Sequence, residues 1–331
     1  MRWLRFLIVL FVLLNLTASW RDRRPVLGQR PNIAAVRVPL DTSDPAKRQV
    51  GALTYLGGVA LGSRDDAFGG FSSLSVAGDR FTLLSDYGDI VRFRMDAGFR
   101  VSDPEFGDLP AGPGLGWEKR ERDSESMAVD PASGDVWVGF ERANAIWRYG
   151  PGLTSPATQA APPAMARWEK NGGAESLVRL HDGRFVVIAE TDRRDRPVRD
   201  LLLFAGDPVA APDSPLIAAY RPPDGFDPSD ATELPDGRIL VLNRRFALPF
   251  TWSAVLTVID VRGVRPGQVL AGREVARFAA PLTVDNYEGL AITREGDATI
   301  LWMVSDDNQL FLQRTLLMKF RIEFANSPPS P

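Results

Sequence analysis

The chain has 331 residues, of which 44% are hydrophobic and 24% are charged, and its net charge at pH 7 is −3. This is the composition of a globular protein, and the lack of a basic excess argues against a nucleic-acid partner. The chain contains no cysteine. That excludes disulfides, thiol nucleophiles, cysteine-ligated zinc and a lipoprotein anchor, and it fits export to an oxidising compartment.

The first 18 residues have the pattern of a secretory signal peptide. Arg2 and Arg5 give a positive start, and Phe6 to Leu16 is almost wholly apolar. The alternative is an uncleaved membrane anchor, because the apolar run is only somewhat shorter than the roughly 20 residues of a full span. Residues 19–48 are polar and rich in proline and arginine, which predicts a linker. A protein exported by this signal would be periplasmic or secreted.

From residue 50 onwards one short pattern recurs five times. The pattern is four residues long, and its second residue is Ser72, Glu125, Glu175, Asp230 or Glu288 in the successive repeats. The spacings between these residues are 53, 50, 55 and 58. An apolar run follows each of these places, then a glycine-containing turn and a second apolar run. Such turns between apolar runs are hairpin signals, because glycine tolerates positive φ. The second runs end in polar residues, acidic in four repeats of five: Asp86, Glu141, Glu190, Asn243 with Arg244, and Asp306.

The repeats predict an all-β fold, a β-propeller. Beyond the N-terminal segment no sustained helical periodicity occurs, and the fifth repeat holds three candidate strands where the others hold four. The fourth candidate strand of the second repeat lies at residues 163–168. A strand at Val50 to Leu61 would supply the missing one and close the ring, which hides the sheet edges. Five four-stranded blades is the count favoured here. Six is the alternative, because these repeats exceed the about 40–45 residues usual in small propellers. We place the propeller at residues 50–324 and a disordered tail at 325–331.

A propeller brings equivalent positions of its blades together around one axis. The first strand of each blade lines the central channel, and antiparallel pairing puts its start beside the end of the second strand. The recurring polar residues would therefore meet at one mouth of the channel. So many carboxylates repel one another and need a counter-charge. A hard cation such as Ca²⁺, which takes about six to eight oxygen ligands, would supply it, and so would basic side chains.

We assign roles to three groups of residues in this mouth. The candidates for catalysis, which would position or activate water, are Glu125, Glu175 and Glu288. The candidates for substrate binding are Ser72, Arg244 and Arg245. The candidate calcium ligands are Asp86, Glu141, Glu190, Asp230 and Asp306. A structural role is the alternative, in which these carboxylates cap backbone N–H groups or pair with arginines of neighbouring blades.

Other hydrolytic chemistries lack the residues that they need. His181 is the only histidine and lies in a predicted hairpin turn at the rim. A Ser-His-Asp triad, a histidine nucleophile or a histidine-rich zinc site is therefore unsupported. No G-x-S-x-G nucleophile elbow occurs in the sequence. Hydrolysis by this chain would be metal-assisted or carboxylate-based.

The segments that carry the motifs are FGGFSSLSV, RDSESMAVDPASGDVWVGFE, GGAESLVRLHDGRFVVIAE, DATELPDGRILVLNRR, DNYEGLAI and VSDDN. Over about residues 50–324 the chain resembles the phytase-like family, also described as esterase-like activity of phytase. The resemblance implies an exported β-propeller that hydrolyses phosphoesters or esters. It also implies calcium in an acidic channel mouth, with lysines and arginines holding phosphate. A lysine-rich phosphate-binding site is missing, since Lys119 and Lys170 are the only lysines in the repeat loops.

Two functions are consistent with these observations. The first is an exported, metal-dependent hydrolase that acts on a small anionic or ester substrate. The second is a non-catalytic propeller of the cell envelope whose mouth binds a ligand or a protein. In both cases we expect a monomer without a nucleic-acid partner. Contact with a membrane would occur only through an uncleaved N-terminal segment.

Overall fold

The computed structural model describes residues 24–154, 157–191 and 197–323. The predicted signal peptide or anchor (1–18) and the predicted tail (325–331) lie outside these residues. Within the described ranges no helix is long and apolar enough to cross a membrane. Apart from strands they contain three short 3₁₀ helices, at Lys119–Glu121, Pro151–Leu153 and Pro163–Met165. The all-β prediction is confirmed.

The strands form five sheets, and each sheet is one blade. Three strands precede the first repeat: β1 (Ala34–Arg37), β2 (Gln49–Val50) and β3 (Leu53–Gly62). Blade one consists of β4 (Phe71–Ala77), β5 (Arg80–Ser85), β6 (Asp89–Met95) and β7 (Val101–Asp108). Blade two consists of β8 (Ser124–Val129), β9 (Val136–Phe140), β10 (Ala145–Tyr149) and β11 (Thr158–Ala160).

The remaining strands build three further blades in the same order. Blade three consists of β12 (Ala174–Arg179), β13 (Phe185–Ala189), β14 (Arg199–Phe204) and β15 (Leu216–Arg221). Blade four consists of β16 (Asp227–Glu233), β17 (Ile239–Ala247), β18 (Thr251–Ile259) and β20 (Arg273–Phe278). The short strand β19 (Val269–Ala271) lies between β18 and β20 in the sequence but belongs to the sheet of blade three. Blade five contains β21 (Asn286–Glu295), β22 (Ala298–Asp306) and β23 (Thr315–Ile322).

The ring is closed by a strand from the beginning of the chain. β3 pairs antiparallel with β23, which places Leu53 opposite Ile322 and Leu61 opposite Thr315. The innermost strands β4, β8, β12, β16 and β21 contact one another in this order, and β21 contacts β4. Five blades and closure by an N-terminal strand are therefore confirmed. Closure also satisfies the backbone groups that two free blade edges would expose.

Three details differ from the sequence-based prediction. Within the predicted linker, β1 pairs with β3 and forms the outer edge of blade five. The short strand β19 adds to blade three in parallel with β15. The fourth strand of blade two was predicted at residues 163–168 and lies at Thr158–Ala160 instead. Pro162 and Pro163 explain this shift, because proline lacks the N–H that a strand ladder needs.

Apolar side chains facing between neighbouring sheets hold the blades together. Between blades four and five, Leu256, Met303 and Phe320 belong to one fully buried cluster. The Phe320 ring lies 5.5 Å from the rings of both Tyr55 and Phe278, centroid to centroid. Tyr55 belongs to the closing strand, so that strand is fixed by core packing as well as by backbone hydrogen bonds.

We predict that Phe320→Ala lowers the free energy of unfolding by about 3–5 kcal/mol, because it leaves a cavity where the closing strand packs. Phe311→Ala is the matched control. Phe311 is 87% exposed, so its truncation should change the same quantity by less than about 0.5 kcal/mol. Urea unfolding of both variants measures the difference. Equal effects would contradict the packing described for β3 and β23.

Candidate functional site

A β-bulge shapes the start of every innermost strand. The pairing register shifts by one residue in each blade, and the residue left without a partner is Ser72, Glu125, Glu175, Ser229 or Glu288. A bulge turns one side chain out of the regular alternation and is frequent beside active sites. Five equivalent bulges therefore present five side chains at one mouth of the channel.

The bulge of blade four falls on Ser229, one residue before the position that the sequence repeat indicated. Ser229 Oγ donates to the carbonyl oxygen of Tyr287 in the next blade at 3.2 Å. Ser72 does the same in blade one, donating to Ser124 at 2.6 Å. The structural repeat thus has serines in blades one and four and glutamates in the other three. Both serines join neighbouring blades.

Asp230 consequently has a structural environment. Its Oδ1 accepts the amide hydrogen of Ala231 at 2.7 Å, and its Oδ2 accepts that of Leu290 in blade five at 2.6 Å. The structure does not bring Asp230 into the group of carboxylates that could share a cation. The assignment of Asp230 as a calcium ligand came from a repeat alignment that is one residue out of register. Its carboxylate instead ties blade four to blade five.

One arginine lies among the carboxylates of the mouth. Arg244 donates through Nη2 to Glu190 Oε1 at 2.8 Å and through Nη1 to Glu288 Oε1 at 2.6 Å. The same Nη1 donates to Asn286 Oδ1 at 2.8 Å. Burial would lower the pKa of the Arg244 guanidinium, but the surrounding carboxylates outweigh it and raise that pKa well above its ordinary value. Arg244 is therefore a fixed cation that pairs with both Glu190 and Glu288 and offsets one of their two charges.

The carboxylates of blades two and three approach one another most closely. Oxygen atoms of Asp123, Glu125 and Glu141 lie within 4.8 Å of one another, and so do those of Glu141, Glu175 and Glu190. Glu141 belongs to both groups. We call these five residues the acidic cluster. Their spacing lets two or three carboxylates contact one small cation at a time.

Burial dominates the electrostatics of the acidic cluster. It raises the pKa of Glu125 and of Glu175 well above the ordinary glutamate value, and neighbouring carboxylates add to the shift. Burial and nearby Asp123 raise the pKa of Glu141 to about 8. The Glu175 side chain is 3% exposed and has no hydrogen-bond partner within the described part of the chain. These buried oxygens are suited to a hard cation.

A second buried carboxylate lies beside the acidic cluster, in blade one. Asp86 pairs through Oδ2 with the ammonium of Lys119, while its Oδ1 has no partner within the described residues. Burial raises the pKa of Asp86 to about 7, although Lys119 opposes the shift. Lys119 Nζ also lies 4.6 Å from the centre of the Tyr87 ring. A lysine from a loop therefore reaches the mouth, and the other oxygen of Asp86 is buried without a hydrogen-bond partner among the described residues.

Arg245 and Asp306 occupy the margins of the site. Arg245 is exposed, because consecutive residues of β17 point to opposite faces and Arg244 occupies the mouth side. Asp306 is buried, with its Oδ1 accepting the amide hydrogen of Asn308 at 2.6 Å. Burial, with Glu288 and Asp86 nearby, raises the pKa of Asp306 well above its ordinary value. Asp306 thus belongs to the mouth, and Arg245 does not.

Two residues of the mouth, Asp123 and Lys119, are absent from the set predicted from the sequence. Asp123 is 5% exposed and accepts a hydrogen bond from Arg142 Nε at 2.6 Å. It directly precedes β8, so its place in the RDSES segment is the signal that could have found it. Lys119 reaches Asp86 from the long loop between β7 and β8, and spacing in the sequence does not reveal such a contact.

A family model described as "Phytase-like: Esterase-like activity of phytase" matches residues 66–309. The chain belongs to the phytase-like family. The resemblance predicted from the sequence is thereby confirmed. The matched range contains the innermost strand of all five blades and every member of the acidic cluster. No curated protein matches this phytase-like chain.

Solved structures that resemble this phytase-like propeller share little sequence with it. The luciferin-regenerating enzyme is 13% identical, the match covers 87% of this chain and 98% of that one, and the TM-score is 0.42. Hydrazine synthase of Kuenenia stuttgartiensis is 13% identical, with 74% and 79% covered and a TM-score of 0.39. At this level of similarity neither protein informs the activity of this chain.

We predict that Asp230→Asn lowers the free energy of unfolding by about 1–3 kcal/mol, because one of the two amide donors then faces an NH₂ group and stays buried without an acceptor. Any affinity of the protein for Ca²⁺ should not change. Chemical unfolding and calcium titration of the same variant measure both quantities. A loss of calcium affinity with unchanged stability would contradict the structural role of Asp230 and would favour Asp230 as a calcium ligand.

We also predict that the metal-free protein loses stability as the pH rises from about 5 to 8.5. A carboxyl whose pKa is higher in the folded state stabilises that state fully below its unfolded pKa near 4, and this contribution disappears as the pH passes the folded pKa. For Asp86 and Glu141 the folded values are about 7 and about 8. At about 1.4 kcal/mol per pKa unit, the melting temperature in chelator should fall by at least about 5 °C.

A cation bound by the acidic cluster would remove most of this pH dependence, because it would favour the ionised carboxylates. A smaller part of the pH dependence should persist, because Asp89 lies outside the acidic cluster and burial raises its pKa to about 7 as well. Carboxylates with lowered pKa values, such as Asp79 and Asp130, are ionised in both states throughout this window. A melting temperature that rises with pH in chelator would contradict the prediction.

Proposed function

We propose that this chain is an exported hydrolase of small phosphoester or ester substrates that uses a divalent cation, Ca²⁺ by preference, in the acidic mouth. The observation that carries the proposal is the acidic cluster, in which Glu141 belongs to two groups of carboxylates and Glu175 is buried without a hydrogen-bond partner among the described residues. Periplasmic or secreted location rests on the apolar segment Phe6 to Leu16 and on the absence of cysteine.

The donor set fits a hard cation. Calcium takes about six to eight oxygen ligands in flexible arrangements, and each group of the acidic cluster offers three carboxylates whose oxygens lie within 4.8 Å of one another. Water and substrate oxygens would complete the shell. Soft metals that prefer thiolate or imidazole are disfavoured by a set made only of carboxylates. The residues that would hold the ion are Asp123, Glu125, Glu141, Glu175 and Glu190.

When bound, the cation would polarise the phosphoryl or carbonyl oxygen of the substrate and lower the pKa of a nearby water molecule. Asp86 is the candidate general base, because its Oδ1 has no hydrogen-bond partner among the described residues and its pKa is about 7, so that it could take a proton from water near neutral pH. Lys119 holds the other oxygen of Asp86 and is the candidate contact for an anionic group of the substrate.

This interpretation changes the roles that the sequence suggested for five residues. Asp86 becomes the candidate general base rather than a calcium ligand. Glu125 and Glu175 become metal ligands rather than catalytic residues. Arg244 becomes a positioning residue, since its Nη1 and Nη2 already donate to Glu190, Glu288 and Asn286. Ser72 has its hydroxyl committed to the backbone of blade two, and it therefore supports the mouth rather than the substrate.

We predict that Glu175→Gln raises the dissociation constant for Ca²⁺ at least about tenfold, because it removes a charged donor from the acidic cluster. Turnover of a generic phosphomonoester or ester should decrease in parallel and should be abolished by chelator in the unaltered protein. Glu105→Gln is the matched control, since Glu105 is exposed on β7 at the outside of blade one. Calorimetric calcium titration and hydrolysis assays measure both effects.

Each outcome separates the two functional classes. Chelator-sensitive turnover that Glu175→Gln reduces supports the hydrolase. Calcium binding without turnover on either substrate class would identify a non-catalytic binding propeller. Turnover that is unaffected by chelator and by Glu175→Gln would contradict a cation-dependent mouth.

A further inference from the structure

Three loops project from the face of the disc that carries the mouth. The loop between β7 and β8 supplies Lys119 to Asp86. The hairpin between β17 and β18 continues beyond Arg244, and the loop between β22 and β23 continues beyond Asp306. Since antiparallel strands return to the same end of a blade, all three loops surround the acidic mouth.

Large apolar side chains at these loops are exposed to water. Among the described residues, all four exposed aromatic side chains lie here, together with three leucines. A soluble surface rarely exposes such a concentration, and exposed apolar patches mark interaction sites. The exposed fractions are 78% for Leu115, 74% for Trp117, 43% for Phe246, 85% for Leu248, 54% for Phe250, 87% for Phe311 and 56% for Leu312.

An arginine lies close in sequence to each apolar loop. Arg120 follows Trp117; its side chain is 67% exposed and pairs with Glu118. Arg245 precedes Phe246 and is exposed. Arg314 follows Leu312; its side chain is 47% exposed and its Nε lies 3.8 Å from Asp285 Oδ2. Tryptophan, phenylalanine and leucine beside arginine form the combination that enters the lipid headgroup region, where the apolar part contacts acyl chains and the cation contacts phosphate.

The described chain also begins on this face. The Arg24 amide donates to the carbonyl oxygen of Trp117 at 3.0 Å, and its guanidinium donates to Asp108 Oδ1 at 2.7 Å. The preceding sequence contains the apolar run Phe6 to Leu16 and Trp20. The apolar N-terminal sequence is thus connected to the same face as the exposed loops.

We infer that the mouth face docks on a lipid bilayer, with the three loops inserted at the headgroup level and the acidic mouth directed at the surface. A flat protein partner would bury a continuous apolar patch, whereas here separate loops surround an acidic opening. The arrangement keeps the outer strands of the disc away from the lipid. Where it is combined with the proposed hydrolase, the substrate class becomes the phosphoester or ester of an amphiphile at the bilayer surface. That consequence rests on the proposed function, but the docking does not.

The full chain, which has no cysteine, allows orientation to be tested with single introduced cysteines. An environment-sensitive fluorophore is attached at Leu248→Cys, at Phe311→Cys and at Asp297→Cys. Asp297 is exposed in the turn between β21 and β22, on the opposite face, and serves as the matched control. The probe is a vesicle of phosphatidylcholine and phosphatidylglycerol, with and without brominated acyl chains, and circular dichroism verifies the fold of each variant.

The inference expects a shift of emission to shorter wavelength and quenching by brominated lipid at positions 248 and 311, with neither at 297. An equal response on both faces, or none at 248 and 311, overturns it, even if the N-terminal segment keeps the chain on the vesicle. A shift without lipid that grows with protein concentration also overturns it and assigns the face to self-association. None of these readouts depends on turnover, so failure of docking and failure of the proposed hydrolase remain distinguishable.

Discussion

The structure depends on the burial of like charges around one axis. Carboxylates of several blades meet at the channel mouth because the bulge of each innermost strand turns the same position inward. Removal of a carboxylate from water is costly unless it is paired, protonated or bound to a cation. The first two solutions apply here. Arg244 pairs with Glu190 and Glu288, while burial raises the pKa of Glu141 and Glu175 and favours their protonated forms.

The asymmetry of the ring explains why the acidic cluster lies where it does. Blade four contributes Arg244 at the position where the other blades have a carboxylate, and its bulge residue is Ser229. Blade one has Ser72 at its bulge, and Lys119 balances Asp86. In the acidic cluster, Arg142 pairs with Asp123 and Arg244 pairs with Glu190. Glu125, Glu141 and Glu175 of blades two and three have no ion pair among the described residues, and uncompensated carboxylates of this kind attract a cation.

The same face combines a polar interior with an apolar rim. The residues that line the mouth are fixed by strand ends and bulges, whereas the exposed apolar residues lie on loops that the fold leaves free to vary. Because the mouth is rigid and the apolar loops surround it, the mouth would contact a substrate group at a lipid surface without unfolding of any blade. The opposite face carries tight hairpins such as the turn at Gly296, and these lack exposed aromatic residues among the described positions.

The sequence by itself determined the blade count, the closing strand and the family, because hairpin turns and alternating apolar runs are local patterns that repeat at a fixed spacing. It also placed Glu125, Glu141, Glu175 and Glu190 in one site, since a closed ring brings equivalent positions together. Tertiary structure alone decided the register of blade four, where Ser229 and not Asp230 occupies the bulge. A bulge shifts the pairing register by one residue, and the local amino-acid composition does not indicate where that shift occurs. Tertiary structure also decided the contact of Lys119 with Asp86 and the gathering of exposed aromatic side chains around the mouth. These depend on the paths of long loops, and no local pattern in the sequence specifies such paths.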